Sequence, residues 1–103
     1  MRLPSTLEEI AVSIETGNNV LFFTADWCGD CRYIYPMMPE IEAEFSQYRF
    51  IQIDRDQFLP LCQKWGIMGI PSFIVTSEGK EIGRYVNKER KTKAQIVEFL
   101  NSI

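Results

Sequence analysis

The chain has 103 residues, 46% hydrophobic and 24% charged, which is room for one domain, 1–103, with one modest core. Eleven basic against fourteen acidic side chains leave a net charge of −3, which argues against a nucleic-acid or anionic-membrane partner. With no histidine and three cysteines, the composition excludes Ser-His-Asp and Cys-His catalysis, His-ligated or four-cysteine metal sites and a disulfide-stapled scaffold. Cysteine or carboxylate chemistry remains.

After Met1-Arg2, the acidic pair Glu8-Glu9 interrupts any apolar leader, so no secretory signal is expected. Leu7, Ile10, Ala11 and Ile14 recur at helical spacing. Ser5 with Glu8, or Thr6 with Glu9, offers a capping box, and Gly17 a stop. Val20 to Ala25 is a short apolar run, read as a strand buried on both faces and far too short to span a bilayer. From Cys28 to Phe45 the apolar positions Ile34, Met38, Ile41 and Phe45 keep helical spacing. Pro36 and Pro39 lie inside that pattern and should kink or split the helix there.

Arg49 to Asp54 reads as a second central strand. Asp56 could cap a short helix running to Lys64, ended by Gly66. Ser72 to Thr76 and Glu81 to Val86 flank the turn Ser77-Glu78-Gly79-Lys80 and read as a hairpin. Thr92 and Gln95 form a capping box before a helix with face Ile96, Phe99, Leu100 and Ile103. The basic run Lys88 to Lys93 reads as a solvated loop. The order α-β-α-β-α-β-β-α predicts an α/β fold: a mixed sheet of four or five strands with helices on both faces. The segment before Ser5 is too short to promise another strand.

Trp27-Cys28-Gly29-Asp30-Cys31 falls where the first strand gives way to a helix. A cysteine at a helix start faces unpaired N–H groups that stabilise its thiolate. A second cysteine three positions on is near enough to close a disulfide. On this reading Cys28 is the exposed attacking thiolate and Cys31 the more buried resolving thiol, with Gly29 allowing a tight turn between them. Two packed, reduced thiols, or half a zinc site with Cys62, are the alternatives. Cys62, near Leu61 and Trp65, reads as a core residue.

The run Phe23-Thr24-Ala25-Asp26-Trp27-Cys28-Gly29-Asp30-Cys31-Arg32 resembles the active-site segment of the thioredoxin family. The likeness continues through Pro36 and through Gly66-Ile67-Met68-Gly69-Ile70-Pro71-Ser72, which is similar to the thioredoxin loop whose proline is cis and faces the disulfide. The element order agrees over nearly the whole chain. The resemblance implies a thioredoxin fold and a cis bond at Pro71 that presents Ile70 backbone to an extended substrate segment. Trp27 becomes an apolar wall beside Cys28.

Three departures stand out. Asp30 occupies a position where thioredoxins typically have proline. At ~6 Å and an effective dielectric of ~20–40 its carboxylate would repel a neighbouring thiolate by roughly 1–3 kcal/mol, favouring the disulfide and hence a reductant. Phe22 and Gln52 stand where the family often keeps a buried acid and a lysine. Asn87 aligns with a family glycine; it tolerates a left-handed backbone but would narrow a substrate groove.

The function expected is a cytoplasmic, monomeric thiol–disulfide oxidoreductase acting on disulfide-containing proteins. It needs no metal or organic cofactor, and is re-reduced by a flavin-dependent thioredoxin reductase or a low-molecular-weight thiol. The rival is a non-catalytic binding module or redox sensor using the same Trp27–Ile70 surface.

Overall fold

The computed structural model describes all residues, 1–103. Along the chain run α1 (Leu7–Glu15), β1 (Asn18–Thr24), α2 (Gly29–Ile34), a 3-10 turn (Tyr35–Met37) and α3 (Met38–Glu44). There follow β2 (Arg49–Asp54), α4 (Leu59–Lys64), β3 (Ser72–Ser77), β4 (Lys80–Tyr85) and α5 (Lys93–Asn101). The strands form one sheet in the order β2-β1-β3-β4. β1 and β2 are parallel across the α2–α3 connection, and β3 is antiparallel to both β1 and β4. Arg2 adds one parallel bridge beside Ile51, donating its N–H to Phe50 and accepting from Gln52. The sheet therefore has four strands and a single bridging residue at its β2 edge.

β1 is buried on both faces because its apolar run supplies both layers. Leu21 and Phe23 pack with Ile10 of α1, Ile51, Ile53, Cys62 of α4 and Ile74. Val20 and Phe22 face Ile34, Met38, Ile41, Phe73, Ile96 and Leu100 from α2, α3, β3 and α5. Helices thus cover both faces, as strand alternation in the sequence requires.

Local chemistry explains most boundaries. Thr6 Oγ1 accepts from Glu9 N–H at 3.1 Å, while the Glu9 carboxylate reaches one residue further back, to Ser5 N–H at 2.7 Å. Pro36 and Pro39 divide the long helical segment into α2, the 3-10 turn and α3, since neither can donate to the preceding turn. The Thr92–Gln95 capping box is complete, at 3.2 and 2.9 Å. The β3–β4 turn is tighter than its sequence suggests: Glu78 (φ 49) and Gly79 (φ 82) alone form it, both left-handed, the two-residue geometry that follows strand twist.

The start of α4 differs from expectation. Asp54, not Asp56, accepts the N–H groups of Asp56 and Gln57, at 2.8 and 3.1 Å, and α4 begins only at Leu59. Asp56 is drawn away by Trp27, as described below. Arg49 is a fastening that the sequence did not announce. Its guanidinium donates to Asn19 Oδ1 and to the carbonyls of Ser13 and Thr16, tying the end of α1 to the sheet.

Candidate active site

β1 ends at Thr24, and Ala25-Asp26-Trp27 carry the chain to α2, with Cys28 as the residue that caps it. Cys28 Sγ accepts the Cys31 N–H at 3.2 Å, and its thiol donates to the Ile70 carbonyl at 3.8 Å. The two cysteines are thus brought together against the 66–72 loop. Cys28 is 7% exposed and Cys31 2%. The expected ranking stands, but Cys28 is far less open than an exposed thiolate would be, because the 66–72 loop closes over it. Gly29 is not needed for a tight turn either. Its φ is not left-handed and a Cβ there would meet nothing within 4 Å, so its lack of a side chain leaves the approach to Cys28 open.

The cysteines face different openings. Cys28 lines a groove of about 450 Å³ with Trp27, Gly29, Asp30, Met68 and Ile70. Cys31 lines a cleft of about 260 Å³ on the other side, with Thr24, Asp26, Tyr35 and Gln52. Burial, reinforced by the hydrogen bond with Cys28, pushes the Cys31 thiol up to about 11, against opposing hydrogen bonds from Thr24 and the Ala25 backbone. Cys31 is therefore a thiol at neutral pH. Cys62 is buried in the core beside α4, 1% exposed, and burial likewise pushes it to about 11. No three Cys, Asp or Glu side chains converge closely enough to hold a metal ion.

The Ile70–Pro71 peptide bond is cis, as the resemblance implies. Ser72 Oγ donates to Gly69 O at 2.5 Å and to Asn87 O at 3.4 Å. A Cβ on Gly69 would lie 2.5 Å from Asn87 O and 2.6 Å from Lys88 N, so the 66–72 loop and the backbone at 87–88 touch directly. Trp27 is 59% exposed, a surface wall whose indole N–H is held by Asp56 at 2.6 Å with the Arg55 guanidinium over its ring.

The charges around the site depart from the sequence reading in three ways. Asp30 does not stand alone against the thiol: Arg90 Nε pairs with it at 2.9 Å and lies over the Tyr33 ring at 4.2 Å. A cation therefore opposes the expected repulsion. The 88–93 run is not a uniformly solvated loop, since Lys91 is fully buried. Asn87 takes no left-handed backbone, and its Oδ1 turns inward to accept from Lys91 Nζ and Glu89 N–H instead of projecting into the groove. Phe22, in place of the family acid, stacks on Phe73 with centroids 5.1 Å apart. Gln52 pairs beside it in the sheet and keeps a buried Oε1 without a partner. Sequence reasoning missed Arg90, Lys91 and Asp56 as neighbours of the site, because a basic run and an isolated carboxylate give no signal of where they fold.

A paired Cys-x-x-Cys at the exit of a central strand, faced by a cis-proline loop on a four-stranded mixed sheet, defines the thioredoxin fold. The family model described as Thioredoxin matches residues 5–102, and the chain belongs to the thioredoxin family. Crystallised thioredoxin from Trypanosoma brucei brucei superposes with a TM-score of 0.85 at 25% identity, covering 97% of this chain and 87% of that one. Thioredoxin from Fasciola hepatica gives 0.80 at 27% identity, covering 99% and 98%. Thioredoxin H-type 1 of Nicotiana tabacum is 31% identical over 78 residues, 76% of this chain and 62% of the relative. The chain thus spans under two thirds of that curated relative's length.

Proposed function

We propose that the protein is a thiol–disulfide oxidoreductase of the cytoplasm that reduces disulfides in protein substrates, with Cys28 as nucleophile and Cys31 as resolving thiol. The observation that carries this reading is the position of Cys28 Sγ. It takes the Cys31 N–H at the start of α2 and opens onto a groove beside the Ile70 carbonyl. An extended target segment laid along Ile70 would bring its disulfide to that sulfur.

The Cys28 thiolate attacks one sulfur of the target disulfide. A mixed disulfide forms, and the other target sulfur leaves as a thiolate that takes a proton from water. Cys31 then loses its proton and attacks Cys28 Sγ. The Cys28–Cys31 disulfide forms and the second target sulfur is released, so two electrons have passed to the target. Because Cys31 is held as a thiol, its deprotonation is the demanding step, helped by the Thr24 hydroxyl and the Ala25 backbone that favour its anion. The dithiol carries the electrons itself. A thioredoxin reductase or a low-molecular-weight thiol restores it, and the chain works as a monomer.

The reading is tested by insulin reduction with dithiothreitol as donor. The reduced protein is expected to accelerate insulin precipitation, Cys28→Ser to abolish the effect, and Cys31→Ser to accumulate a covalent mixed disulfide. A second reading, a binding module, draws on the exposed Trp27 and Met68 at the groove. It would be favoured if insulin reduction were absent and partner capture survived Cys28→Ser but not Trp27→Ala.

A further inference from the structure

Lys91 is the only charged residue buried in the molecule, with none of its surface exposed. An ammonium is costly to bury unless all its protons are taken up. Its Nζ donates to Asn87 Oδ1 and Glu89 O, each at 2.7 Å, and to Asn87 O at 3.4 Å, and lies 5.2 Å from the centre of the Tyr85 ring. Three acceptors match the three protons of an ammonium, whereas a neutral amine would leave one oxygen without a donor. The geometry therefore keeps a positive charge in the interior.

No carboxylate touches that charge. Burial works against it, and the groups that favour it through space are Glu89 on its own loop and Cys31, Asp30 and Cys28 at the active-site helix. Asp30 is already engaged by Arg90, and Lys93, at the start of α5, by Glu40 and Glu44. Lys88 and Arg90 are the remaining cations of the loop, and Tyr85 is the titratable group that β4 presents. The loop is fixed at both ends to the site. Asn87, which Lys91 grips, packs against Gly69 and accepts from Ser72, flanking Ile70–Pro71. Arg90 reaches α2 through Asp30 and Tyr33.

We propose that Lys91 is an electrostatic positioning residue of the Cys28–Cys31 pair: its buried ammonium stabilises the thiolate of the reduced site, and its hold on Asn87 fixes the loop that backs Ile70–Pro71. This rests on the oxidoreductase reading. When glutathione disulfide oxidises the site, the Cys28 thiolate and Cys31 thiol become a disulfide, and one glutathione thiolate and one glutathione thiol are released. Lys91 then loses its anion, so its charge favours the reduced form.

Three measurements test this. Lys91→Gln keeps amide donors toward Asn87 and Glu89 but no charge, and Lys91→Met removes both. Alkylation of Cys28 by iodoacetamide at neutral pH is expected to slow by about three- to tenfold in both variants. That is one unit of thiolate stabilisation, less the accompanying gain in intrinsic nucleophilicity. Loss of thermal stability with unchanged alkylation would mark Lys91 as a structural fastening and overturn the proposal. The unsubstituted protein gives a second readout, independent of how the variants fold. By linkage, the Lys91 ¹³Cε resonance should titrate at higher pH in the reduced protein than in the disulfide form, and equal midpoints would overturn the proposal. Incubation with glutathione disulfide separates the two ideas. If no Cys28–Cys31 disulfide forms, the oxidoreductase reading fails; if it forms and Lys91 titrates identically in both states, only the role of Lys91 fails.

Discussion

At the scale of single residues, the three cysteines are distinguished by what surrounds each sulfur. Cys31 and Cys62 are both pushed up to about 11 from an ordinary value of 9.0, in each case chiefly by burial. A thiol with a raised folded pKa stabilises the fold fully below the unfolded value, and that contribution is lost as pH rises through the folded one. The window is therefore pH 9 to 11, and each group is worth up to about 3 kcal/mol across it. Urea unfolding of the reduced protein should give a free energy that is flat below pH ~9 and falls steeply above it, with Cys62→Ala removing about half of the fall. An unchanged slope in that variant would show that Cys62 titrates as it does in the unfolded chain. The Cys-x-x-Cys pair was legible in the sequence because its chemistry depends on spacing along one turn. Lys91 was not. A lysine among Lys88, Arg90 and Lys93 reads as surface charge, and only the inward turn of Asn87 and the Glu89 carbonyl makes its burial tolerable.

Between elements, two glycines, one in the 66–72 loop and one in β4, show how the same close approach has different consequences. A Cβ on Gly69 would meet Asn87 O at 2.5 Å, and one on Gly83 would meet Ile103 Cδ1 at 2.6 Å. The first neighbour is backbone pinned by Ser72 and Lys91; the second is the far end of a partly exposed, flexible side chain, which can swing aside. Gly69→Ala should lower stability by about 2–3 kcal/mol, the upper part of the range for overpacking, because the contact is fixed, and depress insulin reduction by displacing Ile70–Pro71. Gly83→Ala should lower it by less than ~1 kcal/mol and leave reduction intact. Denaturant midpoints and insulin turnover of the two variants decide it, and equal effects would refute the account. Element types were readable because 3.6- and 2-residue periods leave their mark locally, as the split at Pro36 and the Thr92 cap illustrate. The start of α4 was not. Asp56 has the side chain of a cap, but Trp27, 29 residues earlier, takes its carboxylate, while Asp54 closes the turn before the helix.

Over the whole molecule, the sheet has no room for the acid–base pair that the resemblance associates with its central strand. Phe22 has no exposed surface and lies directly opposite Phe73 in the β1–β3 register, the rings nearly parallel at 14°. Around this stack α3 and α5 bring Met38, Ile41, Ile96 and Leu100, so one face of the core is organised on an aromatic pair where a carboxylate would need water or a cation. The charges near the cysteines are carried instead by Asp30 of α2 and by the 87–91 loop, whose Arg90 is exposed and whose Lys91 is buried against loop carbonyls. The consequence is that restoring the family acid should destroy more than it supplies. Phe22→Asp removes a buried ring, about 3–5 kcal/mol, and leaves an unpaired carboxyl in an apolar layer. Against a total of about 5–15 kcal/mol for a domain of this size, the variant should melt at least ~15 °C lower. It should also become more stable as pH falls toward the carboxyl's raised pKa, the opposite of what a salt-bridged acid would do. Thermal melts at pH ~5 and ~8 check both points. A melting temperature within ~5 °C of the parent would mean that water or a cation already reaches this position, and that the central strand still has space for the chemistry the loop has been assigned.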